Sequence, residues 1–197
     1  MASIDPEDRA NALKFLEWIG QAFEQAGLEA VLIGGQARNF WTEPRATMDF
    51  DFTVAADATA FRRLLETLSA QGFRTLRDQG PHQPSGPDFV QMVNTASGEA
   101  IDLQAAKTDF QATLIERGVR LDPGQQLRVA TVEDLLVLKL IANRKKDQND
   151  LIDLALLDGI DWSYVEHWAR VWGVSELLAN LREIAEQERL RADDLYR

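Results

Sequence analysis

The sequence contains no cysteine and only two histidines, His82 and His167. That excludes disulfide staples, thiolate metal sites and cysteine nucleophiles, and leaves too few imidazoles for a histidine-built zinc centre. It also lacks any apolar run near the ~18 residues that span a bilayer, and its first residues, Met-Ala-Ser-Ile-Asp-Pro-Glu-Asp, lack the basic and apolar regions of a secretory signal. These features predict a cytoplasmic protein with no membrane partner. Basic residues are scarce, 21 Lys and Arg against 32 Asp and Glu, for a net charge of -11. A field of that sign opposes broad nucleic-acid affinity, although a local basic patch overrides an average.

What is present suits one domain or a domain with a helical annex, since 197 residues bury roughly 70% of their unfolded surface. Ala12, Phe15, Leu16, Ile19, Phe23 and Ala26 recur at three- and four-residue steps, predicting a helix over 8–26 that Gly27 stops. The short apolar run Ala30 to Ile33 predicts a strand, ended by Gly34-Gly35 and followed by a helical stretch to about Trp41, which Pro44 breaks. Met48 to Val54 alternates strictly, with Met48, Phe50, Phe52 and Val54 on one face and Asp49, Asp51 and Thr53 on the other. A helix around Leu64, Leu65 and Leu68, a strand over 73–76, a loop over 80–87 and a hairpin of 89–94 with 99–104 follow. From Thr131, an N-cap candidate with Asp134 three positions on, the pattern is helical to the end. The expectation is an α+β chain with a mixed β-sheet core flanked by helices over 1–130, and a helical C-terminal region over 131–197 packed on it.

The chemistry concentrates in carboxylates. Asp49 and Asp51 project from one strand face with Cα atoms about 6.6 Å apart, so they repel unless the face is wet or a cation sits between them. Asp102 interrupts the apolar strand 100–103, and strand pairing is able to bring it beside them. Three converging acids suit Mg²⁺, an oxygen-seeking ion. An isolated Asp-x-Asp is more often just the solvent side of a strand. Here it follows a strand, Gly34-Gly35 and a helix start, where backbone N–H groups are able to receive phosphates. In the helical region, Lys139 lies inside the apolar stretch 135–141, and helical spacing lines it up with Asn143, Lys146 and Asp150. Arg144, Lys145 and Lys146 form the one dense basic cluster, with Asp147, Asp150 and Asp153 at offsets that allow pairing. Trp162, Val165, Trp168 and Trp172 form a stripe read as core or partner-facing surface.

The runs Val31-Leu32-Ile33-Gly34-Gly35-Gln36-Ala37 and Arg45-Ala46-Thr47-Met48-Asp49-Phe50-Asp51 resemble the signature of the DNA polymerase β-like nucleotidyltransferase superfamily. They are especially similar to its bacterial branch of AbiEii-type toxins and minimal nucleotidyltransferase antitoxins. Glu133-Asp134-Leu135, Lys139, Arg144, Lys146-Asp147 and Asp150 resemble that branch's helical motif, so the likeness spans roughly 28–157. It implies a magnesium-dependent enzyme that moves a nucleoside monophosphate from NTP to an acceptor hydroxyl on a protein, an RNA end such as transfer RNA, or a small molecule. Asp49, Asp51 and Asp102 would be catalytic and hold two Mg²⁺ with bound NTP. Gly34, Gly35, Arg45, Lys139, Arg144 and Lys146 would contact nucleotide. Many members have Gly-Ser where this chain has Gly34-Gly35, so the serine's phosphate contact falls to backbone or is absent. The other implied role is a non-catalytic antitoxin-like partner that masks a toxin protein.

Overall fold

A computed structural model of the protein describes residues 5–47, 49–80, 88–120 and 127–195. The chain divides into two compact units, Met1–Ala130 and Thr131–Arg197. The fold is α+β, with a mixed six-stranded sheet and helices against it in the first unit and helices alone in the second.

In the first unit α1 (Pro6–Gln25) starts at Asp5, whose side chain accepts the Glu7 N–H, with Pro6 at the first helical position where its missing donor costs nothing. It ends where Gly27 takes φ +66° and Leu28 N–H turns back to the Phe23 carbonyl. Strand β1 (Glu29–Ile33) runs into the five-residue helix α2 (Gly34–Arg38), and β2 (Asp49–Ala55) returns antiparallel to β1. Helix α3 (Ala58–Ala70) is capped by Asp57, whose carboxyl is held below its ordinary pKa by the N–H groups of Ala60 and Thr59. Strands β3 (Phe73–Gln79), β4 (Phe89–Asn94) and β5 (Ala100–Ala105) form an antiparallel run. Helix α4 (Asp109–Arg117) and the short β6 (Arg128–Val129) complete the unit. The order is β3-β4-β5-β2-β1-β6, with β2–β5 and β1–β6 parallel.

One sheet face is apolar. Phe50, Phe52, Val54, Val90, Met92, Ile101 and Leu103 are buried there. Helix α1 covers it through rings: Phe15 meets Phe50 at 4.3 Å between centroids, and Phe23 meets Phe52 edge-on at 5.2 Å. The opposite face is not uniformly wet, contrary to the simple reading of alternation in β2. Thr53 and its partner Val31 are fully buried, and a Cβ on Gly118, just after α4, would come within 2.8 Å of Val31 Cγ2. The end of α4 therefore closes this face at the far end of β2, and leaves the Asp49 end half-exposed. Helix α4 and β6 had no counterpart in the sequence reading. The predicted 80–87 loop, except Gly80, and Met48 lie outside the described residues.

In the second unit, α5 (Val132–Ala142) begins at Thr131, which accepts the Asp134 N–H. It is buried on almost every side, which is why its residues are apolar without a strong stripe. Asp134 is fully buried and accepts from both Thr131 Oγ1 (2.8 Å) and Tyr164 Oη (2.5 Å). The last bond, with Glu133 accepting Asp161 N–H, fixes the start of α7 (Trp162–Val171) against α5. Between them lie a 3-10 turn (Lys145–Asp147) and α6 (Gln148–Ala155), and α8 (Ser175–Leu195) follows. Arg189 Nη2 reaches the carbonyls of Ala155, Leu156 and Leu157, which the end of α6 leaves without intrahelical partners. Along the tryptophan stripe Val165 is fully buried, Trp162 and Trp168 half-buried and Trp172 exposed. His167 is exposed, its ring set edge-on to Trp168. Among the described residues no helix is long and apolar enough to cross a membrane.

Candidate active site

Strand pairing in the first unit assembles a polar row. Asp51 on β2 stands opposite Asp102 on the parallel neighbour β5, so both project from the same face. Asp49, two residues back on that face, stands opposite Ala100. On the far side of Asp102, Gln91 of β4 is its register partner, and Gln91 Nε2 donates to Asp102 Oδ1 at 2.9 Å. Across β2 in the other direction Ile33 is the partner of Asp51, and Gly34 follows at once. All three aspartates are half-buried.

Gly34 has φ +69°, a left-handed conformation that glycine adopts without cost. A Cβ added there would fall 2.0 Å from Asp51 Oδ2, so the missing side chain is what lets the backbone lie against the carboxylate. Gly35 is similar: its Cβ would stand 2.7 Å from Thr47 Oγ1. Arg45 sits in the segment between α2 and β2. Its N–H donates to Asn39 Oδ1, its carbonyl accepts from Asn39 Nδ2 and its Nη1 reaches the Ala46 carbonyl. This exchange with the C-cap of α2 shapes the approach to β2.

The three carboxylates share a face, yet among the described residues no three acidic or histidine side chains are gathered into a group ready to hold a metal ion. Gln91 holds one oxygen of Asp102 on the β4 side, away from Asp51. A cavity of about 620 Å³ opens on the other side of β2, against Phe15, Gln36, Thr47 and Phe50, and none of the three aspartates lines it.

Three of the four basic residues expected at the nucleotide, Lys139, Arg144 and Lys146, belong to the second unit. The predicted stripe of Lys139, Asn143, Lys146 and Asp150 does not form, because α5 ends at Asn143, which takes φ 44° and turns the chain. That turn folds α6 back, so Lys139 Nζ meets Asp150 Oδ2 at 2.7 Å and Asp147 Oδ1 at 3.2 Å, and is only 4% exposed. Arg144 Nε adds a 2.6 Å bond to Asp147 Oδ2. Burial pushes the Asp147 carboxyl up, but the Arg144 hydrogen bond and the Lys139 and Arg144 charges outweigh it and hold the group below its ordinary range. Lys146 is exposed. The helical motif thus contains a buried ion cluster, in which Lys139 meets two aspartates where contact with a nucleotide had been expected of it. His82 lies outside the described residues.

Sequence reasoning missed Gln91, although a hairpin centred on 95–98 already pairs 91 with 102. It also missed how β3 presents its arginines, because that depends on an irregularity in pairing.

Comparison with known proteins agrees with this architecture. Among curated proteins none matches the sequence. Of solved structures, ANT(2'')-Ia in complex with adenylyl-2''-tobramycin is similar at TM-score 0.55 with 14% identity, over 82% of this chain and 95% of that one. An antigenic nucleotidyltransferase-like protein from Paracoccidioides brasiliensis is similar at TM-score 0.50 with 14% identity, over 86% of this chain and 91% of that one. Such low identities speak to fold alone. Residues 14–192, nearly the whole chain, match one protein family, and the protein therefore belongs to the nucleotidyltransferases of unknown function designated DUF6036.

Proposed function

We propose that the protein transfers a nucleoside monophosphate from an NTP to an acceptor hydroxyl, with release of pyrophosphate. The observation that carries this is the register of β2 against β5, with Asp51 opposite Asp102, Asp49 on the same face and the Gly34 backbone pressed against Asp51. The donor set fits Mg²⁺ in kind and in face: carboxylate oxygens, half-exposed, beside a backbone that only glycine allows so close. Asp49, Asp51 and Asp102 would hold the ion, which when bound supplies charge neutralisation at the phosphates. The triphosphate would lie at the strand end, where Gly34 and Gly35 let the backbone pack against Asp51 and Thr47, and Arg45 lies in the segment that borders it. The acceptor oxygen attacks the α-phosphorus, the bond to pyrophosphate breaks, and Asp102 takes the hydroxyl proton, with Gln91 steadying its other oxygen. ANT(2'')-Ia, whose complex holds an adenylylated tobramycin, provides a precedent for a hydroxyl acceptor on this fold.

A second reading is supported by the absence, among the described residues, of a ready three-carboxylate group and by Gly34-Gly35 standing where many members of the superfamily that the sequence resembles carry Gly-Ser. In it the fold is kept without turnover and the protein masks a partner toxin. Calorimetric titration of each NTP, with and without Mg²⁺, into the protein and into Asp49→Asn/Asp51→Asn separates the two. Magnesium-dependent binding that the double variant loses supports transfer. Absence of binding by every NTP refutes it in favour of the binding role.

A further inference from the structure

Arg74 and Arg77 are three residues apart on β3, a spacing that sends side chains to opposite faces of a regular strand. The pairing of β3 with β4 breaks that rule. Arg74 stands opposite Val93 and Thr75 opposite Met92, but a bulge follows, so that Arg77 rather than Leu76 stands opposite Gln91. Without it Arg77 would fall opposite Val90, a buried member of the apolar face. Val93 and Gln91 share one face, so the bulge puts both arginines on the face of the aspartates. The rows then read Arg74, Val93, Ala100, Asp49 and Arg77, Gln91, Asp102, Asp51. Both arginines are exposed, and β3 is the edge of the sheet.

We infer that this arginine pair is the acceptor subsite, and that the acceptor carries a phosphate near its attacking hydroxyl. The inference rests on the nucleotidyl-transfer reading. In-line displacement puts the attacking oxygen and the leaving pyrophosphate on opposite sides of the phosphorus. With the triphosphate at Gly34 and Gly35, on the β1 side of β2, the acceptor comes over β5, β4 and β3. Strand β3 lies two strand intervals, about 10 Å, beyond β5. At that distance the guanidinium groups act beyond the transferred phosphoryl, on an anion further along the acceptor. Arginine suits it, because its planar fork binds phosphate bidentately. Two acceptors share this chemistry, a single-stranded RNA end and a phosphorylated small molecule. A net charge of -11 opposes phosphate affinity spread over the whole surface, so binding at this edge depends on the local pair.

The test compares the full chain with Arg74→Gln/Arg77→Gln and with a control of equal charge loss, Arg62→Gln/Arg63→Gln on α3. Three probes are titrated: a labelled single-stranded oligoribonucleotide, ribose 5-phosphate, and ATP with Mg²⁺. The expected result is at least a tenfold loss of oligomer or ribose 5-phosphate binding in the β3 variant alone, with ATP affinity unchanged within about twofold. If RNA is the acceptor, the slope of log affinity against log salt also falls by about 1.4, at roughly 0.7 for each phosphate contact on a single strand. Loss with the oligomer assigns an RNA end, and loss confined to ribose 5-phosphate assigns a small phosphorylated acceptor. The inference is overturned if the wild-type chain binds neither probe, if the α3 control loses as much, or if the β3 variant loses ATP instead. Failure of the underlying reading shows separately, as wild-type protein that does not bind ATP with Mg²⁺.

Discussion

Replacing Lys139 with methionine removes a cation that touches both Asp147 and Asp150, and the loss is expected to show with no nucleotide or metal present. The ammonium lies 2.7 Å from Asp150 and 3.2 Å from Asp147, and the aspartates are 1% and 2% exposed. At an effective dielectric near 20 each such contact is worth about 5 to 6 kcal/mol of attraction, most of which offsets the cost of burying the charges. What decides the outcome is the state left behind. Asp147 keeps Arg144, but Asp150 loses the ammonium 2.7 Å away in the interior, and breaking a buried pair this way costs about 3–5 kcal/mol. For a chain of this size that is a fall of roughly 6–20 °C in melting temperature. Lys139→Met/Asp150→Leu removes both members of the 2.7 Å pair and is expected to recover to within about 1–2 kcal/mol of the wild type. Urea denaturation followed by circular dichroism gives all three values. A single variant that loses under about 1 kcal/mol, or a double variant no better than the single, refutes the reasoning.

Asp147 also sets an acid limit. Its pKa is lowered on folding, so its contribution is complete above the ordinary aspartate value of about 3.9 and is lost as pH falls through the folded value. Asp147→Asn should accordingly flatten the acid side of the stability profile, measured as the urea midpoint at a series of pH values; an unchanged slope contradicts this. Gly34→Ala places a Cβ at 2.0 Å from Asp51 Oδ2 and a side chain at φ +69°, so a loss of about 1–3 kcal/mol is expected, together with loss of magnesium-dependent ATP binding. A variant with wild-type stability and binding shows that the close approach is unimportant. Asp51→Asn relieves the like-charge pair with Asp102 and should raise the melting temperature of the metal-free protein by about 1–3 °C while abolishing any stabilisation by Mg²⁺ and ATP. A fall in melting temperature would mean that Asp51 is held by contacts stronger than that repulsion.

Much of the first unit is legible because its signals are local. Alternation over 48–54, the N-cap candidate Thr131, and the turn 95–98 each act within a few residues, and the elements they predict are present within small shifts of boundary. The apposition of Asp51 and Asp102 needs one more step, a parallel pairing across some fifty residues that no local pattern encodes. Helix α4 was missed despite a complete capping box of Thr108 and Gln111, a readable sign at its N-terminus. Strand β6 has two residues, too few for any periodicity, and exists through its pairing with β1.

Lys139 shows where periodicity misleads. Counting in steps of three and four assumes that the helix continues, and the stripe through Lys146 and Asp150 follows only if it does. Asn143 stops α5 in a left-handed turn, a conformation asparagine tolerates better than most residues, and the chain comes back with two carboxylates aimed at the lysine. The charged residues of the motif thereby divide: Lys139 and Asp147 go inside, Arg144 bridges, and Lys146 stays in water. On β3 alternation misleads the other way, since a strict period of two separates Arg74 from Arg77 and one extra residue reunites them. In both places a single irregular backbone step, at Asn143 and at Leu76, changes which charges face each other, and charge is the property on which phosphate chemistry depends.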